Sequence, residues 1–204
     1  MVISFFSGKN NEEKFWEWFQ KNEQSYYRDV DDITEREKLF DELLKQLHKV
    51  HPELTFEFSP LNEKGIRELT ISADGMQEFF PNVIKLVESA PKITNWKIKA
   101  FRQRIPGDEL KIEFDDFSLS YSDIFFKYAD EGEKIGVELY IRNYDGSPRA
   151  KNAVYQLFDG LLGEFDTETK IGWIDWKKLE DFDSTNFFQF HEMREIVDSK
   201  KGDR

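Results

Sequence analysis

The chain contains no cysteine, which removes disulfides, zinc–thiolate sites, iron–sulfur clusters and thiol catalysis in one step. Histidine is scarce, with 3 in 204 residues, a thin supply for metal ligation or acid–base work. No stretch approaches 18 uninterrupted apolar residues. The apolar start, Met1 to Gly8, is too short for a signal-peptide core and has no basic residue ahead of it. These absences predict a cytoplasmic protein with no membrane partner. Gly-x-x-x-x-Gly-Lys-Ser/Thr, Gly-x-Gly-x-x-Gly, Gly-x-Ser-x-Gly and calcium-loop patterns are also missing, so nucleotide, dinucleotide, hydrolase-elbow and calcium readings lack their local signatures. No cofactor and no metal are expected.

What is present is charge and aromatic surface. Charged residues make up 34% of the chain, and 41 acids against 29 bases give a net charge of -12. Such a field repels phosphate backbones at long range, so no nucleic-acid partner is expected. The same charge with few apolar residues would mean disorder. Here 39% of residues are hydrophobic, including 20 Phe, 7 Tyr and 5 Trp, enough to fill a core that needs no covalent staple.

Two helices open the chain. Residues 11 to 27 begin with an Asn cap and early acids and carry Phe15, Trp16, Trp18 and Phe19, an aromatic face suited either to pressing on a sheet or to serving as a binding platform. The first of these is the preferred reading. The second helix, Thr34 to Val50, has Phe40, Leu43, Leu44 and Leu47 on one stripe, with Thr34 as its expected cap and Glu37 completing a capping box. Pro52 ends it.

Beyond Pro52 the period shifts to two. Leu54 to Phe58 and Ile66 to Ser72 alternate around a turn, and a helix with Phe79, Phe80, Val83, Ile84, Leu86 and Val87 leads to a third strand, Trp96 to Phe101. The order then recurs. Ile124 to Tyr128 and Gly136 to Arg142 are strands, a helix from Pro148 to Gly163 buries Ala150, Ala153, Val154, Leu157, Phe158 and Leu161, and Ile171 to Trp176 closes the unit. Glu68-Leu69 aligns with Glu138-Leu139, Ile71 with Ile141, and Asp74-Gly75 with Asp145-Gly146. Glu109 to Phe114 reads as an extra strand bridging the copies, and a short helix is expected at Glu192 to Ser199 before a frayed charged end, Lys200 to Arg204. The expected fold is α+β: two N-terminal helices, then two strand–strand–helix–strand units forming a mostly antiparallel sheet covered by helices. It is divided as a single domain over 1–204, with a helical segment 1–52, first unit 53–104, bridge 105–120, second unit 121–176 and tail 177–204.

Few residues gather into chemistry. His48 and His51 are three apart near a helix end, where a cation favours the helix C-terminus, and they lack the glutamate of His-Glu-x-x-His. Asp74 and Asp145 suit turn and capping roles. The third strand is the least ordinary feature, because unbroken alternation places Trp96, Ile98, Ala100, Arg102 and Arg104 on one face. Two arginines at the end of an apolar face suit a carboxylate or phosphate, or pair with the chain's own acids.

Phe15-Trp-Glu-Trp-Phe19 with Asn22-Glu23, Glu68 to Gly75, Phe80-Pro81, Ala90-Pro91, and Asn95-Trp96 to Ala100-Phe101 resemble a family of uncharacterised bacterial proteins of unknown function, over about the first half of the chain. The resemblance implies a bacterial cytoplasmic protein and assigns no functional residue.

Together these features point to a noncatalytic interaction protein whose partner is a protein, plausibly a basic one. The candidate binding residues are Arg102, Arg104, Trp96, Trp16 and Trp18. The alternative is an enzyme or small-molecule binder with an anion pocket at Arg102 and Arg104. An interaction protein calls for an exposed aromatic patch rimmed by acids, and a pocket protein for a concavity with converging polar groups.

Overall fold

A computed structural model describes residues 8–180 and 186–200. The rest of the N-terminal apolar run and of the charged C-terminal end lies outside the described residues. The chain divides into two compact units, Met1–Phe101 and Arg102–Arg204, and its class is α+β with two leading helices.

In the first unit, α1 (Asn11–Asp29) starts at Asn10, whose side chain accepts the Glu13 N–H while the Glu13 carboxylate accepts the Asn10 N–H. Helix α2 (Ile33–Leu47) is capped by Asp32, whose carboxylate takes the Thr34 N–H at 2.9 Å. The cap is therefore two residues earlier than the Thr34 expected from sequence, and Thr34 instead donates its hydroxyl to Asp32. Strands β1 (Thr55–Phe58) and β2 (Arg67–Ser72) pair antiparallel, α3 (Phe80–Glu88) crosses over, and β3 (Trp96–Ala100) returns parallel to β2. The strand order is β1-β2-β3.

The second unit opens with a hairpin of β4 (Lys111–Phe114) and β5 (Phe117–Ser120). β4 therefore bridges nothing, because its partner follows it directly across the Asp115-Asp116 turn, where Asp115 has φ +44°. Then come β6 (Ile124–Asp130), β7 (Ile135–Ile141), α4 (Pro148–Leu162), α5 (Glu164–Lys170), β8 (Ile171–Lys178), the short β9 (Phe188–Gln189) and α6 (Met193–Ser199). Helix α4 begins with Pro148 behind a Ser147 cap and ends at Gly163, φ +80°, a conformation that glycine adopts without a Cβ clash. Its six apolar positions read from sequence are all buried. The sheet order is β8-β7-β6-β9, with β6–β7 and β6–β9 antiparallel and β7–β8 parallel.

Both units thus use one connection scheme: an antiparallel hairpin, a helical crossover, and a third strand parallel to the second. The aligned residues occupy like places. Leu69, Leu139 and Ile71 are fully buried and Ile141 nearly so, all on the helix-covered faces. Glu68 and Glu138 lie on the opposite faces, and each bonds a lysine two positions along the neighbouring parallel strand, Lys99 at 2.5 Å and Lys177 at 3.1 Å. Among the described residues the strands are distributed over three open sheets of three, two and four strands rather than one. Each unit has its own buried hydrophobic residues, Leu69, Ile71 and Phe19 among them in the first and Phe126, Leu139 and Phe158 in the second.

Candidate interaction surface

The tryptophans chosen from sequence in the first unit belong mainly to its core. Trp16 is buried and donates its indole N–H to the Leu86 carbonyl at 2.8 Å. Phe19, fully buried, meets Trp96 edge-on with ring centres 5.2 Å apart, and Trp96 donates its indole N–H to Glu23 at 2.7 Å. Trp18 is half-buried against Tyr26. Helix α1 therefore applies its aromatic face to the sheet, and these rings supply packing area with each buried indole N–H satisfied.

The alternation that would carry Trp96's face to Arg102 and Arg104 stops short of them. Strand β3 ends at Ala100, and Phe101 turns to φ +66°, a left-handed conformation that breaks the pleat. Both arginines then enter a set of contacts inside the second unit. Arg104 donates to the Leu162 carbonyl at 2.8 Å, to Asp166 at 3.0 Å and to Asp198 at 2.9 Å. Arg102 reaches Asp159 at 3.7 Å, and its backbone N–H donates to the buried Glu164 carboxylate at 3.1 Å. Arg194 completes the group, donating to the carbonyls of Leu161, Ile105 and Gly107 and to Asp108. This set ties residues 102–108 to α4, α5 and α6, with guanidinium forks bridging carbonyls that have no helical partner.

His48 and His51 have local roles. His48 caps α2, and His51 accepts the Glu53 N–H on Nδ1 at 3.3 Å with its ring against Phe79. Among the described residues there is no group of three or more metal-ligating side chains.

Sequence reasoning passed over Arg67. It sits on β2 with 1% exposure, on the face that α1 and α2 cover, and forks onto Asp31 at 2.5 and 3.2 Å while also donating to the Ser59 carbonyl at 2.9 Å. Its guanidinium holds the Asp31 carboxyl below the usual carboxylate range. The signal was available, because Arg67 shares parity with Leu69 and Ile71 and so had to point inward.

The most distinctive surface is the face of the four-stranded sheet opposite α4 and α6. Ile124, Phe126, Val137, Leu139 and Ile141 pack with those helices, so Lys127, Glu138, Tyr140, Trp173, Asp175 and Lys177 point the other way. Among the described residues no helix of the second unit covers them, and Phe187 packs at one side, its ring centre 4.7 Å from that of Tyr140 and 4.7 Å from the Lys127 ammonium. Gly136 is what lets Trp173 lie flat there: a Cβ at that position would sit 2.0 Å from the indole ring. Trp173 stays 41% exposed and donates its indole N–H to Glu131 at 2.7 Å. Beside it the Tyr140 ring is flanked by the Lys127 and Lys177 ammoniums, at 5.8 and 5.4 Å from its centre, and its hydroxyl donates to Glu138 at 2.8 Å. The Tyr140 hydroxyl and Lys177 hold the Glu138 carboxyl below its ordinary value, and the Glu138 bond, with further help from Asp175, raises Lys177. At the tip of the β6–β7 hairpin, Asp130, Glu131 and Glu133 are all exposed.

Aromatic exposure is unequal between the units. Among the described residues Phe114, Tyr128, Tyr155, Trp173 and Phe188 are the exposed aromatics, and all five belong to the second unit. That unit has 15 basic and 23 acidic residues, net -8, against 14 and 18, net -4, for the first. No helix among the described residues is long and apolar enough to cross a membrane. The chain matches no protein-family model and no curated protein.

Proposed function

We propose that this is a noncatalytic interaction protein of the bacterial cytoplasm, and that it engages a basic protein partner through the Trp173 side of its four-stranded sheet. The observation that carries this reading is Trp173 lying flat and exposed over Gly136, next to the acidic hairpin tip. An aromatic anchor with a carboxylate rim is the chemistry that receives lysine and arginine side chains, through cation–π contact on the ring and ion pairing at the rim. The surplus of acid in the same unit steers such a partner on approach.

The alternative is a small anion held by Arg102 and Arg104. The ion pairs of both arginines, and the bond from Arg104 to the Leu162 carbonyl, argue against it, since an anion would have to compete with carboxylates already in place.

The test is capture from a bacterial lysate at about 50 and 500 mM salt, salt limits chosen to span weak and strong screening, with wild-type protein, Trp173→Ala and Arg102→Ala. The reading predicts a basic protein that wild type and Arg102→Ala retain at low salt and release at high salt, and that Trp173→Ala does not retain. A small anion bound by the wild type and lost from Arg102→Ala, detected by native mass spectrometry, contradicts it.

A further inference from the structure

Strand β8 is eight residues long and lies at the edge of its sheet. The other edge strands are shorter: β9 has two residues, β1 has four and β3 has five. Among the described residues no strand pairs with the outer side of β8. A long edge of this kind presents a row of backbone donors and acceptors that natural proteins normally shorten, cover or pair.

We propose that β8 pairs antiparallel with β8 of a second copy of this chain, joining two four-stranded sheets across a twofold axis. The occupant follows from the charge pattern. On the Trp173 face β8 presents Asp175 and then Lys177, facing Glu138 and Tyr140 of β7 in the parallel register. In an antiparallel twofold pair, residues directly opposite share a face, and their numbers sum to a constant even value. An axis through Trp176 sets Asp175 of each copy opposite Lys177 of the other, which makes two cross-strand ion pairs related by symmetry. An axis through Asp175 instead sets like charges opposite each other and is disfavoured. A basic peptide is a poorer occupant of this edge, because the strand ends in Lys177 and Lys178.

The pairing goes beyond the proposed function and does not depend on it. It uses the edge of the sheet and leaves both Trp173 faces open, so the dimer presents two copies of that surface side by side. The two associations also respond oppositely to salt. Binding of a basic partner weakens as salt rises, whereas two chains of net charge -12 repel at long range, so screening favours their pairing.

Sedimentation equilibrium of the full chain tests the proposal, at low and high salt, with wild type, Asp175→Lys, Lys177→Asp and the double exchange. The single changes place like charges opposite across the axis. The double exchange restores complementarity and puts a lysine beside Glu138 again. The proposal expects a wild-type dimer that is at least as tight at high salt, weakening of tenfold or more in each single variant, and recovery in the double. Circular dichroism of each variant separates loss of pairing from loss of fold, and recovery in the double variant is a result that mere misfolding does not produce. A monomeric wild type at millimolar concentration overturns the proposal, as does a dimer that persists in both single variants or fails to return in the double.

Discussion

Replacing Asp31 by asparagine removes the carboxylate that receives both terminal nitrogens of Arg67, a guanidinium 1% exposed beneath α1 and α2. Breaking a fully buried ion pair from one side costs about 3–5 kcal/mol, because the remaining charge is left without compensation. Asp31 itself is 59% exposed at its side chain, so water reaches the pair, and the Ser59 carbonyl still accepts from Arg67. The expected cost therefore falls to about 2 kcal/mol, near that of a hydrogen bond to a charged group. Urea denaturation of wild type, Asp31→Asn, Arg67→Met and the double variant isolates the pair. In the Arg67→Met background the Asp31→Asn change should cost almost nothing, since the charge it served is gone. The folded-state carboxyl lies below its ordinary value of 3.8. Its contribution is therefore complete above that value and is lost as pH falls through the folded-state value, where the unfolded chain already binds the proton. An Asp31→Asn cost that is equal in both arginine backgrounds, or a coupling unchanged between pH 7 and pH 3, would refute the reasoning.

Gly136→Ala forces the Trp173 indole off the sheet, since the added Cβ falls within 2.0 Å of the ring; tryptophan emission should shift to the red and partner capture should drop. Arg104→Ala removes the bonds to Asp166, Asp198 and Leu162 and should lower stability by roughly 2 kcal/mol in urea, with Arg104→Lys recovering little because an ammonium cannot fork across three acceptors. Ser147→Ala deletes the cap that accepts the Ala150 N–H and should cost about 1 kcal/mol by the same assay. Leu69→Ala and Leu139→Ala, both fully buried at equivalent places, should each cost about 2–5 kcal/mol; a cost under 1 kcal/mol at either would contradict its placement in the core.

Much of this architecture was legible because hydrophobic periodicity is a direct record of burial. The 3.6-residue stripe of α4 and the alternation through Leu69, Ile71, Leu139 and Ile141 locate core positions residue by residue. The order strand, strand, helix, strand was legible in both halves, while the parallel return of the third strand is a matter of register. Strand β9 escaped notice because it is two residues long and a period cannot declare itself over so short a run, and β5 because its first residue, Phe117, follows Asp115-Asp116 directly and reads as part of the turn. The boundary at Phe101 escaped for another reason: a single left-handed residue resets which face the chain presents, and no pattern of side chains announces it in a phenylalanine. That one residue separates the expected arginine face from the observed clamp. Trp173 and the half-buried Trp176 lie on opposite faces of one strand by alternation, and the register with Gly136 is what shows that the Trp173 ring lies flat on the sheet.

The most direct test of the interaction surface uses the indole N–H signals of the five tryptophans in a nitrogen-15 spectrum, recorded during titration with the captured basic partner. Trp16 and Trp96 are bonded inside the first unit, while Trp173 is exposed and bonded to Glu131. The account predicts that the Trp173 signal moves or broadens at low salt and returns at high salt, with Trp16 and Trp96 unchanged. A Trp173 signal that stays fixed while the partner binds would contradict it.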